Sequence, residues 1–416
     1  MNIRMRSLVA ATASAALLFT GVGSVPALAA SQVVTIWMDQ GTKDAVGASL
    51  VAFDKANSAF TVNVVVKDFG TLRAAAITAI PTGNGPDILA GAHDWTGKLL
   101  GAGVISPVSL GANAKSFTAP TLSGFQVYGK QYGVPGWTEN IALVYNKKKV
   151  TTPVKTAAEF TAAIVAGKVG MSNELKGQGD PYHMSAFASS FGIDQYVRSG
   201  GSWTTTVGFT ETASKGGVSK YVSWLNGTGS KLSFQDYGST KAKVQDPNNA
   251  VAYWITGPWG VNDLQSDGTY GTPTVKTTKL AKTEIGVTSI PSIGGKPVHQ
   301  FSGVRGYWQS VKVPGSAKAA SVGKVLGHLA GPVAQLASFT TEGKTPANQV
   351  ALKKVSDPFI KGFGTAGTGA YPMPSFVFQD TTWNKIGTAE IEALKGGGLA
   401  GFEAAVKSLQ ETIDAN

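Results

Sequence analysis

The apolar positions of this chain alternate between two periods, and the alternation lays out its elements. Val33-Val34-Thr35-Ile36-Trp37 is a β-branched run that ends at Met38-Asp39-Gln40-Gly41. From Lys43 to Asn57 the apolar residues Val46, Leu50, Val51 and Phe53 recur at helical spacing. Phe60–Val66 reads as a second strand, Leu72–Ile80 as a short alanine-rich helix, and Asp87–Ala90 as a short third strand of the kind buried in parallel sheets. Strand, helix, strand, helix, strand predicts a parallel sheet with helices on both faces. Lys98–Gly103 follows as a helix.

Gly124 to Pro135 reads as a tight hairpin and Ile141–Lys147 as a buried strand, with Gly136-Trp137-Thr138-Glu139-Asn140 at a crossover between them. Beyond Thr156 the texture turns to helices and polar loops. Helices are expected over Ala157–Ala166, Gly216–Leu225 and Tyr182–Phe191, the last with Pro181 in its first turn. Asn248–Ile255 suits a helix running into a strand, and Thr256-Gly257-Pro258-Trp259-Gly260 a sharp turn that presents its indole. Ile285–Pro291 and Gly303–Val311 read as a strand and its return about a Gly294-Gly295 hairpin turn. Helices over Ala317–Leu329, Pro332–Phe339, Asp380–Leu394 and Phe402–Ile413 complete the chain, with a flexible glycine-rich loop at Gly362–Gly369. There is no internal repeat.

The stretch Gly83–Asp94, GNGPDILAGAHD, organises the rest. Its strand delivers Asp94 and Trp95 at a carboxyl end, the edge of an open α/β sheet where ligands bind. A carboxylate beside a large ring suits a sugar, because the acid accepts hydroxyl hydrogen bonds while the ring covers the apolar face. An ordinary turn with Asp94 as helix cap fits this stretch equally well. Four of the nine tryptophans, Trp95, Trp137, Trp259 and Trp383, fall at or beside element ends. One such ring is usually a packing residue. Four beside Asp94, Glu139, Asp180 and Tyr182 point to a neutral polyol, since an anion would call for clustered arginines.

Composition narrows the remaining classes. The sequence has no cysteine, which removes disulfides, thiol nucleophiles, cysteine metal sites and an acylated anchor cysteine together. Four histidines, His93, His183, His299 and His328, form no H-E-x-x-H pattern, and there is neither a G-x-S-x-G elbow nor a P-loop. No metal or cofactor is expected. Two of the acids Asp94, Glu139 and Asp180 could imitate a glycosidase pair, but their spacing in sequence does not settle their separation. A binding protein is the better reading. The formal charge of +11 is scattered, Lys147-Lys148-Lys149 being the longest run, so it describes a solvated surface rather than a nucleic-acid face. Arg4 and Arg6 precede a small, apolar stretch from Ser7 to Val25, and Pro26-Ala27-Leu28-Ala29 ends in the small-x-small pattern of a signal peptidase site. Met1–Ala29 is therefore expected to direct export and to be removed. The product would be periplasmic or extracellular, or held at the cell surface without a lipobox cysteine.

Six blocks in order, GNGPDILAGAHD, YGKQYGVPGWTENIALVYNK, DPYHMSAFASSFG, ITGPWG, GVTSIPSIGGKP and PMPSFVFQDTTW, carry a resemblance over nearly the whole mature chain. The chain resembles the extracellular solute-binding proteins of sugar ABC importers, nearest the maltose/maltodextrin-binding type. The resemblance implies a two-lobe, type II periplasmic-binding-protein fold. Each lobe would be a mainly parallel sheet flanked by helices, with hinge strands between. Residues 30–138 with 305–356 would form the first lobe, and 139–304 with 357–416 the second. It further implies that Asp94 accepts hydroxyl bonds in the first lobe, Glu139 beside the hinge, and Asp180 and Tyr182 from the second lobe. Trp259 and Trp383 would be stacking platforms. The partners implied are an α-glucan oligosaccharide and the membrane permease, with the protein itself a monomer. The chain departs from the family pattern at Gly91 (a Trp there), Trp95 (an Arg), Arg73 (an acid) and Gly387 (an Arg). Asp180 replaces a longer Glu, and Lys43 is displaced by one residue. A secreted wall- or glucan-associated binding protein without a transport role is the alternative that the basic charge and the lack of an anchor cysteine favour.

Overall fold

The computed structural model describes residues 32–415. The expected export segment Met1–Ala29 lies outside the described residues. The chain opens with β1 (Gln32–Met38), α1 (Gln40–Lys55), β2 (Phe60–Val66), α2 (Phe69–Ala79) and β3 (Ile88–Ala92). Both early helices begin on a side-chain cap: Asp39 accepts from the Thr42 N–H and Asp68 from the Thr71 N–H. A short helical turn at His93–Trp95 leads into α3 (Thr96–Gly101), and β4 (Gly133–Glu139) ends the segment. The expected hairpin is present as Gln126-Val127 paired with Lys130-Gln131.

The chain then crosses, through Asn140 and Ile141, into a second sheet. Its members are β5 (Ala142–Asn146), β6 (Val169–Ser172), β7 (Ser233–Gln235), β8 (Tyr253–Thr256) and β9 (Ile285–Thr288). Helices α4 (Pro181–Ser190), α5 (Gly217–Asn226) and α6 (Pro258–Asp263) intervene. The chain returns with the long β10 (Phe301–Ser310), α7 (Ala319–Ala330), α8 (Pro332–Glu342) and β11 (Thr345–Pro346). It finishes with α9 (Pro358–Ala366), α10 (Gln379–Leu394) and α11 (Leu399–Asp414).

The main path of the first sheet runs β11-β4-β10-β3-β1-β2, and the second sheet runs β7-β6-β8-β5-β9. Each sheet is mixed rather than mainly parallel. β1, β2 and β3 are parallel to one another, but β10 enters antiparallel to both β3 and β4. In the second sheet β6 is parallel to β7 and β8, whereas β5 is antiparallel to β8 and β9. The strands that carry the chain between the sheets make the antiparallel halves. Alternation places Val34, Ile36 and Met38 in one apolar core with Ile88 and Tyr307, and Trp37, Leu89 and Trp308 in another on the opposite face. The second sheet is likewise covered on both faces, and Ile386 and Ala389 of α10 pack into its larger core.

Four local expectations are corrected. β9 and β10 are not a hairpin but belong to different sheets; the Gly294-Gly295 turn instead docks on α4, with the Gly294 N–H donating to Ser190 Oγ at 3.1 Å. Residues 248–252 are not helical, because the chain runs directly into β8. Gly362–Gly369 is not a loop throughout: α9 covers its first half, started by Pro358 and by Asp357, which accepts from two backbone N–H groups. Trp259 sits in the first turn of α6 rather than on an open turn. No helix among the described residues is long and apolar enough to cross a membrane.

Candidate functional site: a cleft between the two sheets

A cleft of about 830 Å³ opens between the two sheets, within the size range of small-molecule sites. Asp94, Trp95, Glu139, Asp180, Tyr182, Trp259 and Trp383 all line it. The structure brings the seven together from segments spread over most of the chain.

β3 runs two residues further than expected, pairing Gly91 and Ala92 with Gly306 and Arg305, and so sets Asp94 just past a sheet edge. Asp94 is only 8 % exposed. Its Oδ2 accepts from the Trp383 indole N–H at 3.4 Å, and its Oδ1 has no partner among the described groups. Burial pushes this carboxyl up to about 6, against the pull of Arg73 and the indole bond. Trp95 is 6 % exposed and is chiefly wall. It stacks on Trp308 at 6.1 Å and on Phe69 at 5.0 Å, and a Cβ at Gly91 would lie 2.3 Å from its ring. Glycine at position 91 is what lets this indole lie flat against β3.

Asp180 caps α4, accepting from the His183 N–H at 3.1 Å, and lies 2.6 Å from His183 Nδ1. Oδ1 accepts the capping bond, and Oδ2 lies against the imidazole. Tyr182 follows in the first turn, its hydroxyl buried and without a partner among the described groups. Burial first, then the negative charges of Glu139, Asp180 and Asp94, drive this phenol far above its ordinary range. Glu139, at the end of β4, accepts from the Trp137 indole N–H at 3.3 Å.

The aromatic residues form one connected set. Trp259 lies 6.4 Å from Tyr182, Tyr182 stacks on Phe301 at 6.3 Å, and Phe301 meets Trp383 edge-on at 5.6 Å. The two tryptophans are therefore linked through Tyr182 and through Phe301, which is buried behind the cleft, and Trp383 reaches Asp94 directly. Phe301, from the start of β10, is a residue the sequence reading missed.

Other residues were missed on the opposite wall. Arg305, in the apolar run of β10, donates to Asp39 and, at 3.0 Å, to Thr42 Oγ1. Burial raises the Asp39 carboxyl, but Arg305 and the Thr42 bonds outweigh it and the net shift is downward. Lys344 lies 5.9 Å from the ring of Trp137. A signal was available for two of these: a cation inside an apolar strand, and an acid at the end of the first strand. His93, beside Asp94, ties the first sheet to the chain that leads into α10. Its Nδ1 accepts from the Val304 N–H at 3.0 Å, so Nε2 carries the proton and donates to the Met373 carbonyl at 3.1 Å. Burial holds its pKa down at about 4, keeping the imidazole neutral.

Residues 48–361 match the profile of the bacterial extracellular solute-binding protein family. The chain belongs to that family. This solute-binding protein is similar to the maltotriose-binding protein of Pyrococcus abyssi, 26 % identical over 376 residues, covering 85 % of this chain and 76 % of that one. It is similar as well to a maltodextrin-binding protein of Bacillus subtilis, 26 % identical over 383 residues, covering 88 % and 86 %. Its fold matches that of the Thermus thermophilus maltotriose binding protein bound with maltotriose, with a TM-score of 0.75 over 91 % of this chain and 100 % of that one. The identity there is 23 %, so the shared property is the two-lobe fold.

Proposed function

We propose that this solute-binding protein captures a neutral maltooligosaccharide in the cleft and presents it to the permease of an ABC importer. The observation that carries the reading is a cleft lined by Trp259, Tyr182 and Trp383, linked behind its surface by the buried Phe301, together with two buried polar atoms beside it that lack partners among the described groups, Asp94 Oδ1 and the Tyr182 hydroxyl. Glucose rings offer an apolar face to such a lining and hydroxyls to such acceptors. Trp259 and Trp383 act as platforms, Asp94 and Glu139 accept hydroxyl bonds, and Tyr182 donates one. Asp180, engaged by its cap and by His183, acts through its remaining lone pairs, and Trp95 holds the wall beside Asp94. Lobes of residues 30–138 with 305–356, and 139–304 with 357–416, close on the sugar because only the closed form makes both sets of contacts. The names of the relatives and the indole hydrogen bonds held by Asp94 and Glu139 favour binding over hydrolysis. A thermal-shift screen of mono- and oligosaccharides tests the reading, since a ligand of the native state raises the melting point. Maltotriose should stabilise the protein, and no shift with any α-glucan would remove the proposal.

The pH dependence of binding follows from Asp94. A hydroxyl donates to the ionised carboxylate, so affinity holds above a pKa of about 6 and falls as the group protonates below it. Maltotriose should bind about tenfold more weakly at pH 5 than at pH 7, roughly 1.4 kcal/mol. Asp94→Asn should lose that dependence, as calorimetry at the two pH values would show.

A further inference from the structure

The flank of the cleft beside Trp383 is sealed by a graded series of contacts. Deepest is His93 on the Met373 carbonyl, then Asp94 on the Trp383 indole. Beneath them α3 lies against the chain leading into α10 so closely that a Cβ at Gly97 would sit 2.0 Å from the Ser375 carbonyl oxygen, and one at Gly101 2.6 Å from Val377. Outermost is an ion pair, Arg73 of α2 to Asp380 of α10, at 2.7 Å, with side chains 24 % and 37 % exposed. Both residues line the cleft. The neighbours of Arg73 on α2, Leu72 and Ala76, are anchored in the first sheet's core, whereas α10 is anchored in the second's. The guanidinium also lies 5.4 Å from the ring of Trp95, which fixes its approach.

We infer that Arg73 is a specificity-determining residue: paired with Asp380, it ends the groove beside Trp383 and so limits the length of oligosaccharide that fits. The inference rests on the sugar reading above and adds its length selection. Asp380 lies one turn before Trp383 on α10 and, with Arg73, lines the cleft beside it, so a longer chain leaving past Trp383 on that side must part the two charges. Parting them costs the longer ligand and not the shorter one, which is how a barrier discriminates between otherwise equal contacts.

The opposite flank supplies a control. Asn262, one turn after Trp259 on α6, donates to the Glu342 carbonyl at 2.6 Å, and neither residue lines the cleft. That bond also joins the two halves, so losing it loosens closure without opening the groove's end.

Calorimetry on the full mature chain with maltotriose and maltoheptaose tests the inference through the ratio of their dissociation constants. Arg73→Ala and Asp380→Ala should each shift that ratio at least fivefold toward maltoheptaose, and the double variant no further than either. Arg73→Lys, which keeps the charge, should restore most of the wild-type ratio. Asn262→Ala should change both affinities together and leave the ratio within twofold. An unmoved ratio in Arg73→Ala and Asp380→Ala, with maltotriose still bound, would overturn the gate but leave the sugar reading standing. A ratio moved as far by Asn262→Ala would overturn it too. Wild-type protein that binds neither sugar would remove the sugar reading, and the gate with it.

Discussion

Trp383→Ala is expected to weaken maltotriose binding about a hundredfold, roughly 2.8 kcal/mol. Two losses combine at this position. The partly exposed indole offers a flat apolar face for a sugar ring to cover, and alanine offers almost none. Its N–H is also the donor that holds Asp94 Oδ2, so the truncation leaves a buried carboxylate short of a partner. Trp383→Phe separates the two, keeping a ring while removing the donor, and should fall between wild type and alanine. Trp259→Ala should lose at least about tenfold through stacking alone, roughly 1.4 kcal/mol. Titration calorimetry at pH 7.5 measures all three. Unchanged affinity in both alanine variants would dismiss the aromatic lining as a binding surface.

The fold itself should grow less stable between pH 6.5 and pH 8, and Glu390 is the cause. It is 2 % exposed on α10 and accepts from the Tyr221 hydroxyl at 2.7 Å, while its Oε2 has no partner among the described groups. Burial pushes its carboxyl up to about 8, the Tyr221 bond opposes, and the charge of Asp180 adds to the rise. The folded pKa lies above the unfolded one, so the folded chain binds the extra proton. The stability this confers is complete below the unfolded pKa and lost as pH rises through about 8. Over the chosen window the loss should be about 1.5 kcal/mol. The buried His93 and the half-buried His328 are shifted downward and act in the opposite direction, but mostly below that window. Lys149, held down to about 8 by burial, acts above it. Glu390→Gln keeps an acceptor for Tyr221 and never ionises, so its stability should stay flat. Urea unfolding at the two pH values measures the difference, and a wild-type slope matching the Gln variant's would refute the assignment.

These two side chains share a helix, and the helix illustrates how much of the molecule its primary structure shows. α10 was legible as a helix carrying Trp383, because the spacing of apolar positions and an acid in the first turn are local signals. That Glu390 lies buried against Tyr221 was not, since an acid on a helix ordinarily faces water and only packing decides otherwise. Asp94 was found from its place after a short buried strand. Its raised pKa and its indole partner depend on residues far along the chain. Gly362–Gly369 shows a local reading failing: glycine weakens a helix, but Asp357 and Pro358 start one and burial of Phe363 holds it. The supposed hairpin at Gly294-Gly295 failed because a turn signal does not say which sheet the next strand joins.

The primary structure by itself determined the order and kind of most elements, the strand ends that carry Asp94 and Glu139, and the aromatic character of the site. Those properties come from periodicity, capping and turn chemistry acting within a few residues. Tertiary structure alone decided that both sheets are mixed, that Phe301 joins Tyr182 to Trp383, and that Arg305 meets Asp39 and Arg73 meets Asp380. Each of those depends on strand pairing and lobe packing across long sequence separations, where neither partner carries a local mark of the other.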